Sequence, residues 1–257
     1  AERGYALATN TPARPRRAAT LTLKRATTLG EAFLRIGRNG FLHLRANEAC
    51  IRARRNPEGL HQARVALRRL RSVFSAFRGL LPESDRRRIG ADLRWIARRL
   101  GPARDWDVFA ADLLAPIRAL LVDDRALKPF ADAVLGQRKA AYAEVARTLD
   151  GPDYTDILLR LEAWWEGGSW VAAAEPPWSE PARDFAAGAS RKLHRKFVRL
   201  GKRIGDLSED ELHELRIRAK KLRYTAEFFR ALFRAKPARA YLDALAEIQD
   251  RLGSLND

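Results

Sequence analysis

The chain has 257 residues, 46% of them hydrophobic, and a formal net charge of +17 at pH 7. This composition is typical of a globular protein and excludes a disordered chain, and no apolar run approaches the roughly 20 residues that span a membrane. The single cysteine, Cys50, excludes a disulfide framework and indicates a reducing compartment, where we expect it to be a buried thiol. The sequence begins at Ala1 and contains no methionine, so we expect a piece of a longer protein, or a processed or engineered form.

The basic residues are concentrated in two parts of the chain. Residues 45–104 have a net charge of +11 and residues 191–223 of +7, whereas residues 105–190 have a net charge of −7. A general bias towards arginine would spread the bases evenly. We therefore expect two cationic regions that attract a polyanion.

The pattern of apolar residues and helix breakers predicts an all-α chain without strands. Residues 1–26 are expected to form a linker or arm, and a long helix should follow at about 28–55. The apolar positions of that helix include Phe33, Ile36, Leu42 and Cys50. Arg38, Arg45 and Arg52 recur every seven residues and should lie on nearly one line along it.

The next helix should be capped by Asn56, begin at Pro57 and run to Leu81, before the following proline. A third helix is predicted at 83–100, and the Gly-Pro pair that follows should end it. Three further helices are predicted in the first half, at 103–122, 125–149 and 154–166.

A loop at 167–177, which contains two glycines and a Pro-Pro pair, should divide the chain into two halves. We predict a first helical-bundle module at 27–166 and a second at 178–257. The helices of the second module are expected at about 181–204, 209–233 and 237–252, and its middle helix should begin with a capping box. We expect this module to lack its last helices and to leave apolar surface exposed.

One eleven-residue pattern occurs twice: residues 61–71 read H-Q-A-R-V-A-L-R-R-L-R and residues 213–223 read H-E-L-R-I-R-A-K-K-L-R. In both copies a histidine is followed by basic residues at +3, +7, +8 and +10. Positions 0, +3, +7 and +10 share one face of a helix, and leucines and phenylalanines occupy the opposite face. Each copy should therefore be a helix with one face for a core and one for anions.

The repeat extends beyond this motif at a constant offset of 152 residues. The segment L-G-P-A-R-D at 100–105 matches L-G-S-L-N-D at 252–257, and Phe33 matches Phe185. We therefore predict two copies of one module, each with a long helix, a motif helix and a third helix that ends in the Leu-Gly segment.

These motifs resemble the CHAD (conserved histidine α-helical) domain family. The resemblance is carried by H-x-x-R-V-A-L-R-R-L-R, H-x-x-R-x-x-x-K-K-L-R-Y, L-G-x-x-R-D-W-D-V and L-G-x-L-N-D, and it covers about residues 28–257. It implies two antiparallel four-helix bundles related by a pseudo-twofold, with basic residues lining a central groove or pore. It also implies binding of inorganic polyphosphate and association with polyphosphate granules. Because the family often follows a CYTH domain, which the opening A-E-R-G-Y-A-L fits, such a domain is a candidate partner in the full-length protein.

Polyphosphate should be recognised by a track of arginine forks and lysine point charges, with both motif faces turned towards one anionic chain. The candidate binding residues are Arg38, Arg45, His61, Arg64, Arg68, Arg69, Arg71, Arg104, Lys192, Lys196, Arg199, His213, Arg216, Lys220, Lys221 and Arg223. Solvated outer faces would show similar stripes, but the repetition of the stripe in two copies favours a binding site. The tryptophans do not interleave with the stripes, and we interpret them as core and loop anchors.

Two other chemistries are compatible with parts of the sequence. His61 and His213 are candidate metal ligands by residue type, but their helical neighbours are cations, and we predict no metal and no other cofactor. Asp105 and Asp257 occupy the same position of the repeat. One interpretation is a catalytic pair of carboxylates; the interpretation that we prefer is that such an aspartate orients an arginine.

We predict a non-enzymatic, cytoplasmic targeting or scaffold module. The alternatives are a non-specific nucleic-acid binder, which rests on charge alone, and a metal-dependent phosphohydrolase, whose acids would have to come from the distant segment 105–190.

Overall fold

The structure is a computed structural model that describes residues 13–53, 56–121, 125–168, 170 and 176–254. Throughout these residues the chain is all-α, with short 3₁₀ and π-helical turns and no β-strand, which confirms the predicted fold class. The helices before the predicted internal loop are α1 Leu29–Ala53, α2 Pro57–Ala76, α3 Glu83–Val108, α4 Ala115–Leu120, α5 Leu127–Asp150 and α6 Pro152–Gly167. Those after it are α7 Ala182–Gly201, α8 Glu209–Phe229 and α9 Ala235–Ser254. None of the described helices is long and apolar enough to cross a membrane.

Helices α2 and α8 begin as the sequence predicts. The side-chain oxygen of Asn56 accepts a hydrogen bond from the backbone N–H of Glu58 at 2.9 Å, at the start of α2. At the start of α8, the Ser208 hydroxyl accepts from the N–H of Glu211 at 3.3 Å, and the Glu211 carboxylate accepts from the N–H of Ser208 at 3.0 Å. This reciprocal pair confirms the predicted capping box.

The predicted end of α2 at Leu81 is wrong, because the helix ends at Ala76 and a turn follows. Gly79 lies within that turn and has a low helix propensity. Pro82 disfavours the helical conformation of the residue before it. These two breakers shorten the helix by more than the proline alone would.

The predicted break after residue 100 is also wrong. Helix α3 continues through Gly101 and Pro102, and a π-helical turn, Phe109–Leu114, then joins it to α4. Residues on both sides of the proline are buried along α3: Ile96, Leu100, Ala103 and Asp107. Continuous burial of this one face offsets the cost of an internal proline, about 3 kcal/mol. The predicted helices at 83–100 and 103–122 are therefore parts of one continuous helical segment.

Helix α1 buries the expected apolar positions with one exception. Phe33, Ile36 and Cys50 are buried, whereas Leu42 is 63% exposed. Leu42 lies about 200° around the helix from the buried Leu44, which places it on the solvent side. Cys50 is a free, buried cysteine as predicted, and burial raises the pKa of its thiol.

The described residues divide into two compact units that alternate along the chain. Unit 1 comprises residues 13–19, 40–70 and 83–164, and unit 2 comprises 20–39, 71–82 and the residues from 165 to 254. Helices α1 and α2 therefore contribute residues to both units. The two predicted repeat modules follow a different division, with its boundary in the loop at 167–177, and they stay a prediction.

In agreement with the sequence offset, α2 and α8 begin 152 residues apart, and so do α3 and α9.

Two buried carboxylates fix the helices of unit 1. Glu48, 3% exposed, forms ion pairs with Arg45 at 2.9 Å and Arg52 at 3.3 Å and accepts a hydrogen bond from the Tyr154 hydroxyl at 3.2 Å. A similar arrangement joins α3 to α5. There the Asp107 carboxylate accepts hydrogen bonds from Arg138 Nε at 2.7 Å and from the Tyr142 hydroxyl at 2.6 Å. The pKa of Tyr142 is raised, mainly by burial and to a smaller extent by its hydrogen bond to Asp107.

An aromatic cluster forms one core of unit 2. The Phe33 ring centroid lies 4.7 Å from that of Phe77 and 5.1, 5.0 and 5.4 Å from the rings of Trp165, Trp170 and Trp178. All three tryptophans are buried. A second core packs α7, α8 and α9 together through Phe197, Leu215, Ala219, Leu222, Leu245 and Leu252. This second core sets the position of the second motif helix.

Candidate functional site

The first arginine of each motif lies against a glycine of another helix. A Cβ atom added to Gly101 of α3 would lie 3.4 Å from Arg64 Nη1, and one added to Gly253 of α9 would lie 3.7 Å from Arg216 Nη2. Both the arginines and the glycines are 152 residues apart. In each unit the motif arginine therefore reaches the next helix of the chain at a residue without a side chain, and the Leu-Gly segment is part of the site.

In unit 1, the basic residues of α2 meet the C-terminal part of α3. We call His61, Arg64, Arg68 and Arg104 the first cationic face. Burial lowers the pKa of Arg64, and the charges of Arg68 and Arg104 lower it further, although the Asp105 carboxylate opposes them. Arg64 also donates from Nη1 to the backbone carbonyl of Ala97 at 3.3 Å. Arg68 and Arg104 thus lie close enough to Arg64 to disfavour its charged form.

His61 lies within this group of charges. Burial is the main cause that lowers its pKa below the usual value of 6.5, and Arg104 is the next. Glu58 opposes the shift, whereas Arg68 and Arg64 add to it. The imidazole of His61 is therefore neutral at pH 7 and can donate or accept a hydrogen bond without adding charge.

In unit 2, the second motif places His213, Arg216 and Lys220 on α8, and we call these residues the second cationic face. Arg216 and Lys220 are half-buried and His213 is exposed. The Nε atom of Arg216 is buried and has no hydrogen-bond acceptor among the described residues. On the neighbouring α7, the predicted Lys192, Lys196 and Arg199 are exposed.

Several predicted binding residues have partners elsewhere. Arg38 forms an ion pair with Glu166, and Arg45 belongs to the buried Glu48 cluster. Arg223 forms an ion pair with Glu227 at 3.3 Å and lies over the ring of Tyr224. These contacts give the three arginines structural roles that a periodic stripe does not reveal.

The other predicted binding residues of the two motifs differ in how exposed they are. Arg71 and Lys221 are exposed. Arg69 is half-buried and lies close enough to the buried His43 to lower the pKa of that histidine, after the larger effect of burial. His43 Nε2 lies 3.0 Å from the Arg16 carbonyl and 3.1 Å from Gln62 Oε1, so this histidine is part of the interior.

A groove of about 650 Å³ lies between α7 and α9. Its wall includes Arg191, Arg195, His194 and Tyr241, with His194 Nδ1 at 2.9 Å from the Tyr241 hydroxyl. Charged and polar side chains thus line this groove together with apolar surface. The expectation that an incomplete second module leaves apolar surface exposed stays a prediction.

The described part of the chain contains no group of three or more His, Cys, Asp and Glu side chains that could hold a metal ion. Asp105 is exposed and lies near Arg64, whose charged form it favours. This agrees with the preferred role of an aspartate that acts on an arginine. Its repeat counterpart, Asp257, lies outside the described residues, as does Asn256.

The role of the two glycines leads to a prediction about stability. Gly101→Ala should raise the free energy of unfolding by about 0.5–1 kcal/mol, because alanine has a higher helix propensity and its methyl group would touch Arg64 at an ordinary contact distance. The larger Gly101→Leu should displace the guanidinium and reverse this gain. Urea unfolding of both variants measures the difference, and equal stabilities would show that Arg64 does not depend on the glycine.

Comparison with known proteins supports one family. The CHAD domain family model matches residues 35–257. A solved structure described as the CHAD domain from the plant Ricinus communis is 33% identical to this chain, with a TM-score of 0.82, and the match covers 95% of this chain and 80% of that one. A search of curated proteins found no match. The match of the family model over most of the chain, together with the likeness to that structure, shows that the chain belongs to the CHAD domain family.

Proposed function

We propose that the protein binds inorganic polyphosphate through its two cationic faces, as a non-catalytic targeting or scaffold module for polyphosphate granules. The observation that carries the proposal is the half-buried Arg64, whose pKa is lowered by burial and by Arg68 and Arg104. Cations held together in this way cost free energy, and a bound anion would offset that cost.

The spacing of the motif suits a chain of phosphates. Arg64 and Arg68 are four residues apart on α2, which corresponds to a rise of about 6 Å along the helix axis. An arginine fork can engage two phosphate oxygens, and lysine adds a point charge. A flexible polyanion without bases therefore fits a row of such groups and needs no aromatic platform.

Arginines elsewhere on the surface have carboxylate partners of their own. Many of them form ion pairs with a carboxylate one helical turn away, as Arg218 does with Glu214 at 2.6 Å and Arg251 with Glu247 at 2.8 Å. Such pairs compensate their own charge and attract a polyanion less.

The proposal is tested by titration with long-chain polyphosphate, tripolyphosphate and duplex DNA at about 0.15 M ionic strength. We expect tight binding of long-chain polyphosphate, weaker binding of tripolyphosphate and weaker binding still of DNA. Equal affinity for DNA and polyphosphate would reduce the function to general polyanion attraction. Release of phosphate from polyphosphate in the presence of Mg²⁺ or Mn²⁺ would contradict a non-catalytic role.

Binding of polyphosphate should depend on pH through His61. The pKa of His61 is lowered in the free protein, and a bound polyanion beside Arg64, Arg68 and Arg104 would raise it, so the complex holds more protons than the free protein. Affinity should therefore increase as the pH falls through the pKa of the complex, by at most about tenfold per pH unit for one proton.

Calorimetric titration between pH 5.5 and 8 measures this dependence, provided that the polyphosphate is long enough for its internal phosphates to stay ionised. His61→Asn should flatten the pH profile. His194→Asn is the matched control, because His194 is exposed and contacts Tyr241 instead of the motif arginines. A profile that is unchanged in His61→Asn would show that another group takes up the proton.

A further inference from the structure

Gln249 of α9 lies one turn before the glycine that Arg216 of the second cationic face approaches, although the motif does not include it. It precedes Gly253 by four residues and so lies on the same side of α9, one turn away. Because Arg216, near the start of α8, reaches Gly253, near the end of α9, the two helices are antiparallel. Gln249 therefore faces the part of α8 between Arg216 and Lys220, and it is only 9% exposed.

Two buried donors at this place have no acceptor in the part of the chain that the structure describes. Within the described residues, neither Nε2 of Gln249 nor Nε of Arg216 has a hydrogen-bond partner. Buried polar groups are nearly always paired, and an unpaired one is costly. Since both atoms are donors, the missing partner has to be an acceptor, and a phosphate group offers several oxygens in a compact space.

The first cationic face differs at the equivalent position. The residue 152 positions before Gln249 is Ala97, whose backbone carbonyl accepts from Arg64 Nη1 at 3.3 Å. The Asp105 carboxylate also favours the charged form of Arg64. Arg64 thus has acceptors within the protein, whereas among the described residues Arg216 Nε has none. Among the described residues, which do not include Asp257, the repeat counterpart of Asp105, the second face is the one that is short of acceptors.

We propose that Arg216 and Gln249 form a phosphate subsite in the second cationic face, in which Arg216 Nε and Gln249 Nε2 donate to oxygens of one phosphate. The inference rests on the proposed function and deepens it, since it adds an uncharged residue that distinguishes phosphate oxygens from diffuse negative charge. A neutral donor contributes a hydrogen bond without displacing a counterion, so its effect should be independent of salt.

The test uses Gln249→Leu in the full chain, titrated with long-chain polyphosphate at several salt concentrations. We expect about a tenfold loss of affinity, as for one hydrogen bond to a charged group, with the slope of log affinity against log salt unchanged. Without ligand, the Tm should stay the same or rise, because the substitution removes an unpaired buried donor. A purely structural glutamine would instead lower the Tm and leave affinity unchanged.

Gln62→Leu is the matched control. Gln62 is similarly buried, at 8% exposure, but its amide is satisfied, since Nε2 donates to Glu58 at 2.6 Å and Oε1 lies 3.1 Å from His43 Nε2. This variant should lower the Tm and leave polyphosphate affinity unchanged. If Gln62→Leu and Gln249→Leu change Tm and affinity alike, the subsite is overturned.

A measurement on the unmodified side chain covers the case in which Gln249→Leu does not fold. The side-chain ¹⁵NH₂ resonances of glutamine should shift on addition of tripolyphosphate at one residue, assigned to Gln249 through Gln249→Glu. No shift there, in a protein that binds polyphosphate, overturns the subsite and leaves the proposed function standing. A wild-type protein that binds no polyphosphate overturns both.

Discussion

Replacement of Arg64, Arg68, Arg216 and Lys220 by glutamine, all four together, should lower the affinity for long-chain polyphosphate at least about a thousandfold. Hydrogen bonds to charged groups contribute about 1.5–3 kcal/mol each, and four such contacts would be lost. The slope of log affinity against log salt should fall by about 0.7 for each lost contact, if polyphosphate behaves like a single-stranded nucleic acid. Far-UV circular dichroism should stay unchanged, because glutamine is a good helix former.

The control is a second fourfold variant with the same change in net charge. Arg87, Arg147, Arg239 and Arg251 are exposed, each forms an ion pair with a carboxylate on its own helix, and none belongs to a cationic face. Their replacement by glutamine should weaken binding less than about tenfold, as expected for distant, screened charges. If both fourfold variants lose the same affinity, the protein binds polyphosphate through its total charge, and the two faces are not the site.

Gly37→Ala should destabilise the protein by about 3 kcal/mol or more, at the upper end of overpacking effects. A methyl group at this position of α1 would come within 2.5 Å of Cζ2 of the Trp165 ring and closer still to two other ring carbons. Trp165 is 2% exposed, and the rings of Phe33, Phe74 and Trp170 surround it, so the indole has no space into which it can move. Denaturant unfolding measures the loss.

Gly136→Ala provides the contrast, since Gly136 lies in α5, is exposed, and has nothing within 4 Å of an added Cβ atom. There alanine should stabilise the protein by about 0.5–1 kcal/mol through its helix propensity. If Gly37→Ala is as stable as Gly136→Ala, the packing of the aromatic cluster is looser than the structure indicates.

Local sequence signals predicted the elements whose causes are local. Hydrophobic periodicity gave the all-α class, and Asn56 and Ser208 marked the starts of the two motif helices, because a cap acts on the N–H groups two or three residues away. The Gly-Pro pair at 101 and 102 failed as a stop signal. Its effect depends on the burial of α3 on both sides, which is a tertiary property.

The candidate site was predictable only in part, for a similar reason. The motif spacing placed His61, Arg64 and Arg68 on one face. It did not reveal that Arg38 pairs with Glu166, 128 residues away in sequence, or that Arg216 approaches Gly253, one helical turn after Gln249. Periodicity tells which side chains share a helix face, but the residues opposite that face come from another helix, and one sequence carries no signal for that pairing.

The tryptophans of unit 2 give the molecule an internal optical probe. Ring centroids of Trp165 and Trp170 lie 6.4 Å apart, and those of Trp170 and Trp178 lie 6.0 Å apart. Indole transitions at such separations couple, so the near-UV circular dichroism of the native protein should be dominated by this trio. Loss of that band with the far-UV signal retained would report loosening of one aromatic core before the helices themselves melt.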